Sequence, residues 1–150
     1  MADNQFVIFK LGREKYCVDI SCIGGINDSG DITDVPEAPD YVEGIINLRG
    51  DIIPIINLKK KFKMSETGFS KESRIVIINT EENLNFGFIV DDASQVIRIE
   101  ETDIAEAPTI IKSGKDYISG VVKFEDHVAL ILDLIKVMTD EERKSIARAI

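Results

Sequence analysis

Residues 41–58 read YVEGIINLRGDIIPIINL, and residues 117–134 read YISGVVKFEDHVALILDL. The two align without a gap. Four of the 18 positions are identical (Tyr41/Tyr117, Gly44/Gly120, Ile55/Ile131, Leu58/Leu134), and seven more exchange one apolar residue for another. Each copy is two apolar runs around a polar turn, the pattern of a β-hairpin. The likeness continues upstream: residues 16–20 (YCVDI) resemble residues 86–90 (FGFIV), and Pro36 and Pro108 stand at similar distances before the aligned tyrosines. Matching order as well as pattern predicts a duplicated unit of about 70 residues.

Outward from that repeat the chain reads as strand after strand. Residues 5–11 and 16–20 form a hairpin through Gly12-Arg13-Glu14-Lys15, and residues 27–34 supply a polar loop. The runs 44–47 and 52–58 pair around Leu48-Arg49-Gly50-Asp51, and polar residues 59–71 connect the halves. The second series comprises residues 75–79, 86–90, 96–99, 118–124 and 128–132. About five short strands per unit avoid exposed edges best by curling, so an all-β chain of two small barrels is expected. The 25 Ile and 11 Val agree with this, since β-branched side chains suit pleated, half-buried surfaces. Barrels this small have no deep pocket of their own, which makes the seam between them the natural place for a ligand or partner. Thr139-Asp140-Glu141-Glu142 is a capping box opening a short C-terminal helix over residues 139–150, with a helical turn at 134–138 before it; the helix is expected to act as a lid on one barrel.

Composition excludes several functions. The 150 residues are 44% hydrophobic, enough for a core without metal or disulfide staples. A formal charge of −9 has the wrong sign for displacing counterions from nucleic acid, or for an anionic membrane surface. The longest apolar run, residues 128–132, is far short of the ~20 residues of a membrane span. The N-terminus has no basic segment ahead of an apolar one, so no signal peptide is expected, and a cytoplasmic location follows. Cys17 and Cys22 read as buried small hydrophobes rather than a disulfide framework.

Catalysis finds no foothold. His127 is the single histidine and sits in a turn, where neighbouring side chains rarely converge on one ion; it reads as a solvated turn residue, and no metal is expected. Asp91-Asp92 closes an apolar strand and reads as a solvated loop. Gly24-Gly25 lacks the later Gly, Lys and Ser/Thr of a phosphate loop, and neither cysteine has a neighbouring histidine base. The chain is expected to be no enzyme and to need no cofactor. The repeats differ at one place that matters: the first hairpin turn carries Asn47-Leu48-Arg49-Gly50 where the second has Lys123-Phe124-Glu125-Asp126. Arg49 is either an anchor for a partner's carboxylate or a solvated turn arginine.

The string from Val35 to Leu58, VPEAPDYVEGIINLRGDIIPIINL, resembles the signature of the CheW family of bacterial chemotaxis coupling proteins: Pro, a short spacer, Gly, two apolar residues, Asn-Leu-Arg-Gly, an apolar run around Pro, and Asn-Leu. The resemblance extends through residues 6–11, 16–20, 75–78, 86–92, 94–97 and 117–120, and so over nearly the whole chain. It implies a single domain over 1–150 with two five-stranded, SH3-like β-barrel subdomains, approximately 5–62 and 72–138, followed by the helix at 139–150. Whether the first strand stays in its own barrel or is exchanged with the other is left open. The resemblance further implies a non-catalytic adaptor linking methyl-accepting chemoreceptor cytoplasmic tips to the regulatory domain of the histidine kinase CheA. Carried over by position, the kinase-facing set is Ile23, Ile26, Val42, Gly44, Arg49 and Gly50, and the receptor-facing groove is Ile75, Val76, Ala93, Val96 and Gly120. For the aliphatics among these a place in the core is the competing reading, and for both glycines a purely backbone role. The chain departs from the family in having Gly25 where many relatives carry glutamate. If that acid normally holds the arginine at position 49, Arg49 needs another acceptor, with Asp28 and Asp31 nearest in sequence, or is free for a partner. Exposed groove aliphatics would also leave an apolar patch able to self-associate weakly.

Overall fold

Both copies of the repeat fold as hairpins with the same register in a computed structural model of the chain, which describes residues 4–28, 30–64, 68–79, 85–112, 116–124 and 126–149. In the first copy β4 (Val42–Leu48) pairs with β5 (Asp51–Asn57); in the second β10 (Ile118–Lys123) pairs with β11 (Val128–Leu132). Val42 faces Ile56 and Gly44 faces Ile55 across a bulge, and at the aligned positions Ile118 faces Leu132 and Gly120 faces Ile131 across the same bulge. The backbone N–H of Asn57 donates to Tyr41 O, and that of Asp133 to Tyr117 O, each at 2.7 Å. Duplicated sequence has become duplicated geometry.

The remaining strands are β1 (Gln5–Leu11), β2 (Glu14–Asp19), β3 (Ile23–Asp28), β6 (Arg74–Ile78), β7 (Phe86–Val90), β8 (Asp92–Arg98) and the two-residue β9 (Ile104–Ala105). They form two sheets: sheet I in the order β8-β1-β2-β11-β10-β9, and sheet II in the order β3-β6-β7-β5-β4. The two-sheet architecture is the expected one, with a sixth strand in sheet I contributed by β9. Its partition along the chain is different. The β1–β2 hairpin of the first copy lies with the second copy's strands, and the β6–β7 hairpin of the second lies with the first copy's. Both exchanges are made by parallel pairs at corresponding positions, Ile131 with Cys17 and Ile55 with Gly87. The boundaries 5–62 and 72–138 therefore do not follow the sheets, and the exchanged unit is a whole hairpin rather than the first strand alone. The cause is that a hairpin satisfies only its inner edge; its outer edge takes whichever partner strand the chain can reach, and here that strand belongs to the other half.

Strand alternation then builds three cores. Phe6 and Ile8 point into sheet I with Cys17, Ile99, Val122, Ala129 and Ile131. Ile97 of β8 and Ile104 of β9, from the two ends of the sheet, pack on that same cluster, so sheet I curls around it. Ile53, Ile55, Ile75, Ile77 and Ile89 fill sheet II in the same way. The opposite faces meet: Val7, Phe9, Leu11 and Val18 of sheet I pack against Ile56, Val76, Phe88 and Val90 of sheet II in the largest cluster.

Two short helices follow the aligned hairpins at matching places. α1 (Leu58–Lys61) is capped by the Asn57 side chain and α3 (Leu134–Val137) by Asp133; α2 (Thr109–Lys112) lies between them in the chain. α4 (Asp140–Ala149) starts with the expected capping box, Glu142 N–H donating to Thr139 Oγ1 at 3.1 Å and Thr139 N–H to Glu142 Oε1 at 2.9 Å. It ties the halves together rather than covering one: Lys61 Nζ donates to Glu142 Oε2 at 2.6 Å. Tyr41, pushed up to about 12 by burial and by the neighbouring Glu142 carboxylate, bonds the same acid through its hydroxyl.

Candidate partner-binding faces

The β4–β5 hairpin ends at the Leu48–Asp51 pair, leaving Arg49 and Gly50 as a two-residue turn with φ of 54° and 91°. Positive φ at both central positions is type I′ geometry, whose twist matches the strands it joins. Gly50 takes it freely, and its N–H donates to Asn47 Oδ1 at 2.9 Å. The Arg49 side chain is thereby held out in solvent at the tip. It makes no ion pair among the described residues; Asp28, one of the two acids nearest in sequence, lies 3.6 Å from Arg74 instead. Beside the tip Ile52 is 46% exposed, and Val128, its counterpart on the second hairpin, is 51% exposed. The second tip is closed on itself: His127 Nδ1 lies 2.6 Å from Asp126 Oδ1, and the imidazole stacks on Phe124 with ring centroids 4.7 Å apart. The hydrogen bond to His127 holds the Asp126 carboxyl below its ordinary range. One hairpin thus presents an uncommitted guanidinium, while in the other Asp126 and His127 bond each other.

The seam between the sheets is filled rather than open along most of its length. β1 lies against β7 and β8 against β6, so β3, next after β6, projects past the last strand of sheet I. On this ledge Ile26, the cross-strand partner of Val76, is 38% exposed. On β8, the strand that lies against β6, Val96, the partner of Val7, is 53% exposed. Val7 and Val76 belong to the same buried cluster, so each exposed aliphatic is the cross-strand neighbour of a residue in that shared core.

This redistributes the residues expected from the sequence. Of the groove set, Val96 alone offers surface. Ile75 lies inside sheet II and Val76 on its other face, because successive strand residues point oppositely and both faces are covered. Ala93 is buried in the shared core, and Gly120 is buried where an added Cβ would meet Ile104 Cγ2 at 3.1 Å and Ala105 O at 3.2 Å. Of the kinase-facing set, Ile23 and Val42 are half-buried against the shared core, Gly44 is buried under residues 32–33, and Arg49 and Gly50 form the tip. Ile26 belongs with Val96 rather than with Arg49. Ile52 was not legible as a surface residue, because the run Ile52-Ile53-Pro54-Ile55-Ile56 is apolar throughout and hides which members face outward. Among the described residues no group of His, Cys, Asp and Glu could hold a metal ion, and no helix is long and apolar enough to cross a membrane. Burial pushes the Cys17 and Cys22 thiols up to about 11, with Asp19 and Asp133 adding to the effect at Cys22.

The chain is a two-sheet β fold with exchanged hairpins and with exposed aliphatics at its hairpin tips and on the outermost strands β3 and β8. The model of the CheW-like domain matches residues 5–142. The chain is 38% identical to the chemotaxis protein CheW of Treponema pallidum, over 97% of this chain and 89% of that protein, and 31% identical to the chemotaxis protein CheW of Bacillus subtilis, over 95% and 91%. It also matches the crystal structure of the scaffolding protein TtCheW from Thermoanaerobacter tengcongensis with a TM-score of 0.83 and 36% identity, covering 91% of this chain and 88% of that one. The chain belongs to the CheW family of chemotaxis scaffolding proteins.

Proposed function

We propose that this chain is a non-catalytic cytoplasmic adaptor that couples the cytoplasmic tips of methyl-accepting chemoreceptors to the regulatory domain of the histidine kinase CheA. The observation that carries the reading is the separation of two exposed faces on one rigid core. The hairpin tip, with Arg49 and Gly50 flanked by Ile52 and supported by Ile23, Val42 and Gly44, is the kinase face. The ledge formed by Ile26 and Val96, floored by Val76 and Ala93 and backed by the Ile75 and Gly120 packing, is the receptor face. Receptor tips are helical, and a row of aliphatic side chains at helical spacing suits a shallow apolar ledge. Arg49 suits a carboxylate, since a guanidinium offers a planar pair of donors. The elevated thiol values at Cys17 and Cys22 leave little thiolate for nucleophilic chemistry, in keeping with an adaptor.

The test is calorimetric titration of the protein into the isolated CheA regulatory domain of its own organism and, separately, into a soluble receptor cytoplasmic fragment, with Arg49→Ala and Val96→Asp alongside. Removing one anchor weakens binding by about tenfold or more, about 1.4 kcal/mol. Arg49→Ala is expected to lose the kinase domain and keep the receptor; Val96→Asp is expected to do the reverse. Absence of binding by the parent chain, or loss of both partners with either folded variant, overturns the assignment.

A further inference from the structure

Asp91 is the one residue between β7 and β8, where the chain leaves sheet II for sheet I. It does not behave as a solvated loop end. Its Oδ1 accepts from Lys59 Nζ at 2.8 Å, its Oδ2 accepts from the Gly12 N–H at 2.6 Å, and its own N–H donates to Lys10 O at 3.0 Å. Lys59 is on α1, directly after β5 of sheet II, and is only 1% exposed; Gly12 is the turn of the β1–β2 hairpin of sheet I. A single carboxylate therefore joins both sheets at the point where the backbone crosses between them. β8 begins at the next residue, with Asp92 opposite Lys10, and reaches the exposed Val96 four residues further along.

We propose that Asp91 is a positioning residue for the ledge between Ile26 and Val96: by fixing α1 and the β1–β2 turn to one carboxylate, it sets the line along which β8 runs over β6, and so the gap between β8 and β3. The inference rests on the reading of that ledge as the receptor face. Lys59 is buried while Asp91 is half-buried, so the ammonium end of the pair is the more shielded from water and the less free to move. The hairpin tip lies at the far end of the seven-residue β5, about 20 Å from α1, and is outside its reach.

The experiment compares the parent chain with Asp91→Asn and with Lys59→Met/Asp91→Asn. Asp91→Asn keeps the shape and loses the charge, and the double variant removes both charges so that neither is left facing the other. Thermal unfolding is recorded for each, with binding to the receptor fragment and to the kinase domain measured separately. Both variants are expected to bind the receptor fragment more weakly by roughly three- to thirtyfold while holding the kinase domain as the parent does. If receptor binding returns in the double variant together with stability, the pair is only structural and the proposal falls. Methyl NMR of Ile26, Val76 and Val96 gives a partner-free reading. Asp91→Asn is expected to shift these methyls and leave Ile52 in place, and unchanged ledge methyls overturn the proposal by themselves. A parent chain that fails to bind the receptor fragment, with the ledge methyls still moving in Asp91→Asn, refutes the receptor reading and leaves the positioning role standing.

Discussion

Gly44 separates the fold from the binding surface, and Gly44→Ala tests that separation. Residues 32–33 cross directly over it: the Thr33 N–H donates to Ile45 O and the Ile45 N–H to Thr33 O, both at 2.9 Å. A Cβ on Gly44 would stand 2.2 Å from Thr33 O and 2.8 Å from Ile32 Cγ2, and the φ of 151° is one that L side chains rarely adopt. The crossing segment must lift away to make room. Two backbone hydrogen bonds are then lost at about 1 kcal/mol each, and the backbone strain of a side chain at positive φ adds about 1–2 kcal/mol. Ile32 also withdraws from the sheet II core it packs on, which brings the expected destabilisation to about 3–5 kcal/mol. Gly50→Ala is the matched control: its φ is 91° and nothing lies within 4 Å of the added Cβ, so only the strain of about 1 kcal/mol applies. Urea unfolding followed by far-UV circular dichroism measures both. A Gly44→Ala variant no less stable than Gly50→Ala would refute the steric argument. The same reasoning predicts that loss of kinase binding in Gly44 variants tracks the unfolded fraction, whereas Arg49→Ala loses binding while fully folded.

The anchor of α4 is expected to be acid-sensitive. Burial raises the Glu142 carboxyl, but the Lys61 ammonium, the Thr139 N–H and the Tyr41 hydroxyl outweigh it and hold it below its ordinary 4.5. A group depressed in the folded state contributes stability above its unfolded value and loses it as pH falls through the folded one. Amide exchange in α4 should therefore accelerate below that range in the parent chain, and already be fast at neutral pH in Glu142→Gln. Equal protection in both would remove Glu142 as the anchor. The thiols give another readout: with both raised to about 11, Cys17 and Cys22 should react slowly with a thiol reagent at pH 8 and fully in urea. A fast native reaction would mean the packing around them is looser than described.

The amino-acid sequence by itself determined the duplication, the two aligned hairpins and the capping box at Thr139. Each of these is written in local pattern, where a turn, an alternation or a cap depends on residues a few positions apart. β3 escaped because Gly24-Gly25 and exposed alternate residues carry no strand signal; its pairing with β6 supplies what its composition lacks. The exchange of hairpins was beyond the sequence for a related reason, since a hairpin's outer edge bonds any strand of suitable register and the choice is made by chain geometry across the whole molecule. Which aliphatics are surface was also decided in three dimensions. Ile75 and Val76 are equally apolar neighbours covered from opposite sides, whereas Ile26 and Val96 are apolar residues left uncovered because one sheet ends a strand short of the other. Hydrophobicity determines that a side chain gains from burial; only the packing of the two sheets decides which side chains obtain it.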